Sequence, residues 1–416
     1  MSKPVFGSRH VRALQRWAMG KARRSRFFPV TIPDRLGDDD RLAGVTLPHS
    51  VMVFFPDTQE SLYQIRPWLR AFEALDAEER TVVVCQDSRT AQRLREESTL
   101  DVITVARYGR MDDLLSRGNL RLALYVNHSP RNFENLRFTS LTHVYLGHGD
   151  SDKGVSASNQ VKAYDFCFVA GQAAVDRLAL HVPRYDAEAR CVVIGQPQLD
   201  SSGLLTLPPR PESGRTTVLY APTWEGAQPS VAYSSVVSHG RALVRALLDD
   251  GSFDVIYRPH PLTGVTSGEY AAADAEIRAM VTDAPGAHRV DTGPDLHEAF
   301  AAADLLVCDV SGVALSWLPT GRPLVVTETD AAPATAGDSL TRGAERLTAS
   351  EAAGLPGRVR SLLADAGYDD RMRALRDHYF LTTEHGGATR NFVAECRVLV
   401  SVAADGRTDV AGGANE

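Results

Sequence analysis

Two parallel-sheet α/β domains facing each other across a cleft are what this sequence predicts, and three observations carry the prediction. Short β-rich runs alternate with amphipathic helical stretches along most of the chain, in two successive series. The β-rich runs are almost continuously apolar, without the polar alternation of a sheet that has one wet face, so each sheet is covered by helices on both sides. A segment containing Leu207-Pro208-Pro209-Arg210-Pro211, within residues 197–215, separates the two series as a linker does.

The totals agree with this class. At 416 residues, with 44% hydrophobic and 23% charged residues, the chain has material for two cores and is too apolar for disorder. A net charge of -7 argues against general affinity for nucleic acid. Cys85, Cys167, Cys191, Cys308 and Cys396 are odd in number and lack metal-ligand spacing, so reduced thiols in cores are expected. No long apolar stretch follows Met1-Ser2-Lys3-Pro4-Val5, and none of spanning length occurs elsewhere, which gives the expectation of a cytoplasmic protein.

The charge is unevenly spread. Lys3, Arg9, Arg12, Arg16, Lys21, Arg23, Arg24 and Arg26 all precede the first acid, Asp34, making residues 1–28 a basic arm. Val11, Leu14, Trp17 and Ala18 recur at helical spacing. The pattern fits equally two arrangements: a helix laid through residues 3–26 on an anionic membrane, peripheral on the inner face of the plasma membrane, and a helix packed on its own domain.

Within the first domain, residues 29–200, strands are expected at Val51 to Phe55, Thr81 to Cys85, Val102 to Val105, Leu122 to Val126, Thr142 to Gly147, Phe166 to Ala170 and Cys191 to Gly195. Helical periodicity marks Leu62 to Leu75, Ser88 to Glu97, Met111 to Arg117 and Gln172 to Leu180. This is a Rossmann-like pattern. The first strand leads into Phe55-Pro56-Asp57-Thr58 and not into a GxGxxG turn, so no dinucleotide cofactor is expected. In the second domain, residues 201–403, strands are expected at Thr217 to Tyr220, Asp254 to Arg258, His288 to Asp291, Leu305 to Asp309 and Pro323 to Glu328. Helices are expected between them and near Ser350 to Ala364, Asp370 to His378 and Thr389 to Val402, with a disordered tail over 404–416. The runs Asp38-Asp39-Asp40, Asp249-Asp250 and Asp369-Asp370 read as solvated surface charge, and no metal site is expected.

The chemistry-bearing residues gather where an open α/β sheet places ligands, beyond the carboxyl ends of strands. His148 stands in the glycine-punctuated loop Gly147-His148-Gly149-Asp150-Ser151-Asp152-Lys153-Gly154, directly after an apolar run. Pro222-Thr223-Trp224, Arg258-Pro259-His260-Pro261 and Asp309-Val310-Ser311-Gly312 end three strands of the second domain. The imidazole of His148 titrates near neutral pH and suits a general base, oriented by a nearby carboxylate, of which Asp150 and Asp152 are nearest in sequence. Ser311 and Gly312 open a helix whose N–H groups and dipole favour a phosphate, and Thr389 opens another. Each has a plainer alternative: an ion pair for Arg258, an N-cap for Ser311, a turn-orienting carboxylate for Asp309, a core aromatic for Trp224.

These motifs resemble the CDP-glycerol glycerophosphotransferases of teichoic acid synthesis. The resemblance rests on the His148 loop, Leu219-Tyr220-Ala221-Pro222-Thr223-Trp224, Arg258-Pro259-His260-Pro261, the segment Ala303 to Gly312, and Glu384-His385-Gly386-Gly387-Ala388-Thr389. It implies a GT-B fold, with an acceptor domain and a CDP-donor domain. It also implies transfer of glycerol phosphate, or a related polyol phosphate from a CDP-polyol, to a polyol-phosphate polymer, a lipid-linked acceptor or a capsule-like polymer. His148 would be the base, His260 with Arg258 would stabilise the diphosphate, and Asp309, Ser311, Gly312, Thr223, Trp224 and Thr389 would line the donor side. Gly149, Asp150, Asp152 and Lys153 would form the acceptor-side loop. The chain departs from the family in having Cys308-Asp309-Val310-Ser311-Gly312 where Thr-Asp-Tyr-Ser-Ser is usual. A glycosyltransferase using a nucleotide sugar, and a non-catalytic nucleotide- or polymer-binding member, are the alternatives.

Overall fold

The computed structural model describes residues 37–149, 157–207, 214–226, 232–293, 296–329, 340 and 343–412. The basic arm expected at residues 1–28 lies outside them, as do Asp150, Asp152 and Lys153.

Two all-parallel sheets organise the chain. The first holds β1 (Val51–Phe55), β2 (Thr81–Cys85), β3 (Asp101–Thr104), β4 (Leu122–Tyr125), β5 (Thr142–Tyr145), β6 (Phe166–Val169) and β7 (Cys191–Val193), in the order β3-β2-β1-β4-β5-β6-β7. The second holds β8 (Thr216–Ala221), β9 (Phe253–Tyr257), β10 (Arg289–Val290), β11 (Leu305–Cys308), β12 (Leu324–Glu328) and β13 (Glu345–Thr348), ordered β10-β9-β8-β11-β12-β13. Every residue of β1, β2, β4 and β11 is buried, as the unbroken apolar runs require of strands covered on both faces. Strand β13 was not expected. It is a short edge strand, only its Leu347 is buried, and its Glu345 and Arg346 break any apolar run.

Each sheet reverses its winding once, between β1 and β4 in the first and between β8 and β11 in the second. Loops on either side of such a reversal diverge and leave a crevice above the strands. Both sets of candidate residues sit beside one of these crevices.

The helical stretch expected from Leu62 to Leu75 is broken into Leu62–Ile65, a 3-10 turn at Arg66–Trp68, and Leu69–Asp76. Pro67 lacks the N–H that a continuous helix needs, so the chain tightens there. The break matters for the site, because it sets the indole of Trp68 to donate to the carbonyl of Gly147 at 2.7 Å.

The last helix, Gly387–Gly412, differs from expectation in two ways. It continues beyond Ala404, where disorder was expected, and it packs on the first sheet's side and not with the second. Phe392 meets Trp68 and Phe72 with ring centroids 5.6 and 6.0 Å apart, and Cys396 is buried in the same core. Residues 387–412 are therefore assigned to the first lobe. The expected linker is also partly ordered: in the helix Pro197–Asp200, the carboxylate of Asp200 accepts from Gly386 N, Thr389 N and Thr389 Oγ1 at 3.0, 2.8 and 2.6 Å.

The acidic run at Asp38-Asp39-Asp40 is not simply solvated. Asp39 is 1% exposed and pairs with Arg107, while Asp38 accepts from Arg95 at 2.6 Å, pinning this turn to the β3 edge. Asp250 likewise pairs with Arg360. All five cysteines are unpaired, and four are buried. Among the described residues no helix is long and apolar enough to cross a membrane.

Gly195 is where the returning helix comes closest. Its φ is +89°, and a Cβ built there would stand 2.7 Å from that of Ala388. Gly195→Ala is expected to destabilise the fold by about 1–3 kcal/mol, read as a lowered melting temperature; an unchanged one would show that the helix does not seat as described.

Candidate functional site

The first lobe's crevice is lined by residues that end β1, β4 and β5. Asp57 follows β1, and its carboxylate accepts from Asn127 Nδ2 at 2.7 Å and Ser129 Oγ at 2.9 Å, both beyond β4. Asn127 also donates to Gln64 at 2.6 Å. The polar cluster is built across the winding reversal, from residues 70 or more positions apart. His128 stacks on Tyr145 with centroids 4.0 Å apart and planes within 6°. Burial, reinforced by the neighbouring His148, pushes the His128 pKa down to about 4.

His148 follows β5. Gly147 before it has φ +68°, a left-handed geometry that glycine adopts without penalty, and the Trp68 bond fixes its carbonyl. The His148 ring meets Tyr63 edge-on, with centroids 6.0 Å apart. Solvent reaches the ring, yet the walls around it desolvate it enough to hold its pKa below the ordinary histidine value. His148, Gly149, His128, Asp57 and Asn127 line a cavity of about 750 Å³ whose boundary also includes Gly312 of the second lobe.

In the second lobe the organising group is Asp309, which is fully buried at the end of β11. Its carboxylate accepts from Thr223 N at 2.7 Å, Ser235 N at 3.2 Å and Thr327 Oγ1 at 2.5 Å. It thus ties the loops after β8 and β11 to the end of β12. Burial raises its pKa to about 6 against these hydrogen bonds. These bonds are those of a carboxylate that orients the turn.

Directly after Trp224 in the chain, Glu225 accepts from Gly264 N, Thr266 N, Thr266 Oγ1 and Ser267 N at 2.9 to 3.2 Å. Burial opposes its ionisation, but the bonds from Gly264 and Thr266 outweigh it and lower the pKa. This clasp draws the Arg258-Pro259-His260-Pro261 loop over Trp224. The rings of Trp224 and His260 stack with centroids 6.2 Å apart and planes at 21°. His260 Nδ1 accepts from Leu262 N at 3.1 Å, which leaves the hydrogen of the neutral ring on Nε2.

Ser311 occupies the N-cap position of the helix Gly312–Trp317 but makes no capping bond, and its Oγ is buried without a hydrogen-bond partner. Arg258 and Thr389 are committed elsewhere. Arg258 pairs with Asp291 and donates to Gly293 O at 3.0 Å, so it holds the loop after β10, as the ion-pair alternative has it. Both Thr389 donors are taken by Asp200, a carboxylate standing where a phosphate was expected. Among the described residues no group of three or more His, Cys, Asp or Glu is placed to hold a metal ion.

Sequence reasoning missed Asp57, Asn127, His128 and Ser129, whose only signal was their place after β1 and β4. It also missed Glu225, whose signal was a carboxylate directly after Trp224.

Residues 160–335 match the family described as CDP-Glycerol:Poly(glycerophosphate) glycerophosphotransferase. The resemblance read from the motifs is thereby borne out, over a segment that contains Thr223, Trp224, His260 and Asp309 to Gly312 and begins after His148. The match supports a transferase of glycerophosphotransferase type. No curated protein matches by sequence. Among solved structures, the wall teichoic acid polymerase TagF superposes with a TM-score of 0.54 at 15% identity, over 95% of this chain and 99% of that one. A putative UDP-N-acetylglucosamine 2-epimerase from Listeria monocytogenes gives 0.54 at 14% identity, over 84% and 96%. A glycosyltransferase from Rickettsia africae gives 0.51 at 10% identity, over 85% and 99%. The fold is GT-B, two Rossmann-like lobes with a cleft between them.

Two structural predictions follow from the second lobe. The folded-state pKa of Asp309 lies above its ordinary 3.8, so the stability this carboxyl confers is complete below about pH 4 and declines as pH rises through about 6. The melting-temperature gap between wild type and Asp309→Asn, which cannot titrate there, should therefore be wider near pH 4 than near pH 7. Glu225→Ala should speed amide hydrogen exchange at Gly264, Thr266 and Ser267, and unchanged protection would remove Glu225 as the clasp.

Proposed function

We propose that the chain transfers a polyol phosphate, glycerol phosphate from CDP-glycerol in the first instance, to a hydroxyl of a polymeric or lipid-linked acceptor and releases CMP. The observation that carries the reading is that His148 of the first lobe and Gly312, opening a helix of the second, line one cavity. The family match over the second lobe supports a CDP-linked donor on that side.

In this mechanism His148 takes the proton of the acceptor hydroxyl as its oxygen attacks the phosphorus bonded to the polyol. The bond from that phosphorus to the bridging oxygen breaks, and CMP leaves with the electron pair. Negative charge on the phosphoryl oxygens is stabilised by positioned donors. His260 Nε2–H, Ser311 Oγ and the first-turn N–H groups of the helix Gly312–Trp317, which have no intrahelical acceptor, are those donors. Trp224 walls the nucleotide, and Asp309, Glu225 and Arg258 position the loops. The acceptor belongs to teichoic acid or capsule-like synthesis, with the chain acting from the inner face of the plasma membrane.

A base with a depressed pKa stays neutral further into acid. The acid limb of kcat/KM for CMP release from CDP-glycerol should accordingly lie below the ordinary histidine value. His148→Ala should lower kcat by roughly a hundredfold or more and leave CMP binding intact; an unchanged rate would remove His148 from the mechanism. His260→Ala should raise the KM for CDP-glycerol as well as lower kcat. Loss of melting temperature with normal kinetics would make that ring structural only.

The second reading is a nucleotide-sugar enzyme of the same fold. It is favoured by one observation: the epimerase likeness has the same TM-score as the TagF likeness. Hydrolysis of UDP-sugars with CDP-glycerol untouched would select it.

A further inference from the structure

We propose that Trp68 is a positioning residue for the transfer step: its indole N–H holds the peptide before His148, and the last helix, through Phe392, holds the indole. The proposal rests on the reading of His148 as the base, and goes beyond it by naming what keeps that base in place.

The loop needs a hold from outside itself. Gly147 stands at φ +68°. Glycine reaches this geometry without strain, and for the same reason it leaves it easily. A base tolerates little of that freedom, since a misplacement of about 1 Å can cost a hundredfold in rate. The peptide that joins Gly147 to His148 therefore has to be oriented by some other part of the fold.

The indole of Trp68 supplies that orientation. Its Nε1–H donates to the Gly147 carbonyl at 2.7 Å, across 79 residues of sequence and in buried surroundings. The carbonyl belongs to the peptide that ends at His148 N, and a peptide is planar, so fixing its oxygen fixes the direction in which His148 leaves the loop. Turning the peptide away would strand a buried donor and a buried acceptor together, at the full desolvation cost of each.

The indole is itself held from two sides. It stacks on Phe72 with centroids 5.8 Å apart and planes at 14°, and it meets Phe392 of the last helix at 5.6 Å. Phe392 in turn touches Phe72 at 6.0 Å and Phe168 edge-on at 6.3 Å. Phe168 lies on β6, the strand paired with β5, which carries the His148 loop. The cluster thus ties the last helix to the strand beside the loop. Tyr63, in the piece Leu62–Ile65 just before the break at Pro67, meets the His148 ring edge-on at 6.0 Å. The two pieces of the broken helical stretch therefore grip His148 at its ring and at the peptide before it.

The test uses the full chain and two readings, kcat for CMP release from CDP-glycerol and the nuclear Overhauser contact between the Tyr63 and His148 rings. Trp68→Phe keeps an aromatic ring in the cluster and removes the N–H. It should lower kcat about tenfold or more with the KM for CDP-glycerol little changed, and it should weaken the ring contact. Phe392→Leu should do the same to a smaller degree. Leu114→Ala opens a cavity in the core on the other face of the first sheet. It should lower the melting temperature and leave both readings as in the wild type. A Trp68→Phe protein with a lowered melting temperature but wild-type kcat and ring contact would overturn the proposal and leave Trp68 a core residue only. The ring contact needs no turnover, so the two readings fail separately. A wild-type rate in His148→Ala removes the base, whereas an inactive His148→Ala beside an unaffected Trp68→Phe removes the positioning role.

Discussion

A buried carboxylate holds the loops of the second lobe together. Asp309 gathers two backbone N–H groups and a hydroxyl from three other segments, with no solvent to share the task. Removing any one donor would leave a buried charge partly unpaired, which is costly in a low-dielectric interior. Satisfied as it is, the carboxylate fixes the loop after β8 against the loop after β11. Trp224, His260 and Ser311 inherit their placement from that lock. Glu225 repeats the device one turn further on, where its four accepted bonds set the loop that carries His260.

The returning helix is held to the first lobe by a different set of forces. Trp68 is 2% exposed, lies against Phe392 of the returning helix, and donates to the carbonyl before His148. A single side chain thereby couples the seating of that helix to the loop that carries His148. Asp200 closes the N-terminus of the same helix with three bonds, and Gly195 lets the helix approach closely. Gly312 of the second lobe reaches the boundary of the first lobe's cavity.

Much of the fold was legible because its cause is local. Fully buried parallel strands must be apolar on both faces, and β1 and β2 appear in the sequence with the limits they have in the structure. The edge strand β13 was illegible, since a strand paired on one side needs only Leu347 inward. The candidate site was legible as positions after strands, which is how His148, Thr223, His260 and Ser311 became candidates. What was not legible is which partners those groups hold. Thr389 donates to Asp200 and Arg258 to Asp291, and those acids lie 189 and 33 residues away in sequence. The Asp57, Asn127 and Ser129 cluster was missed for the same reason, because only the reversal of the first sheet brings it together.

In the proposed function the second lobe holds a cytidine-linked diphosphate opposite His148. It is tested most directly by thermal-shift titration of the intact chain with CMP, CDP-glycerol, CDP-ribitol and a panel of UDP-sugars. A ligand that binds only the folded state stabilises it by about 2.7 kcal/mol at a hundred times its Kd, whatever the acceptor is. CMP and a CDP-polyol should raise the melting temperature, and UDP-sugars should not. Stabilisation by a UDP-sugar alone would contradict it.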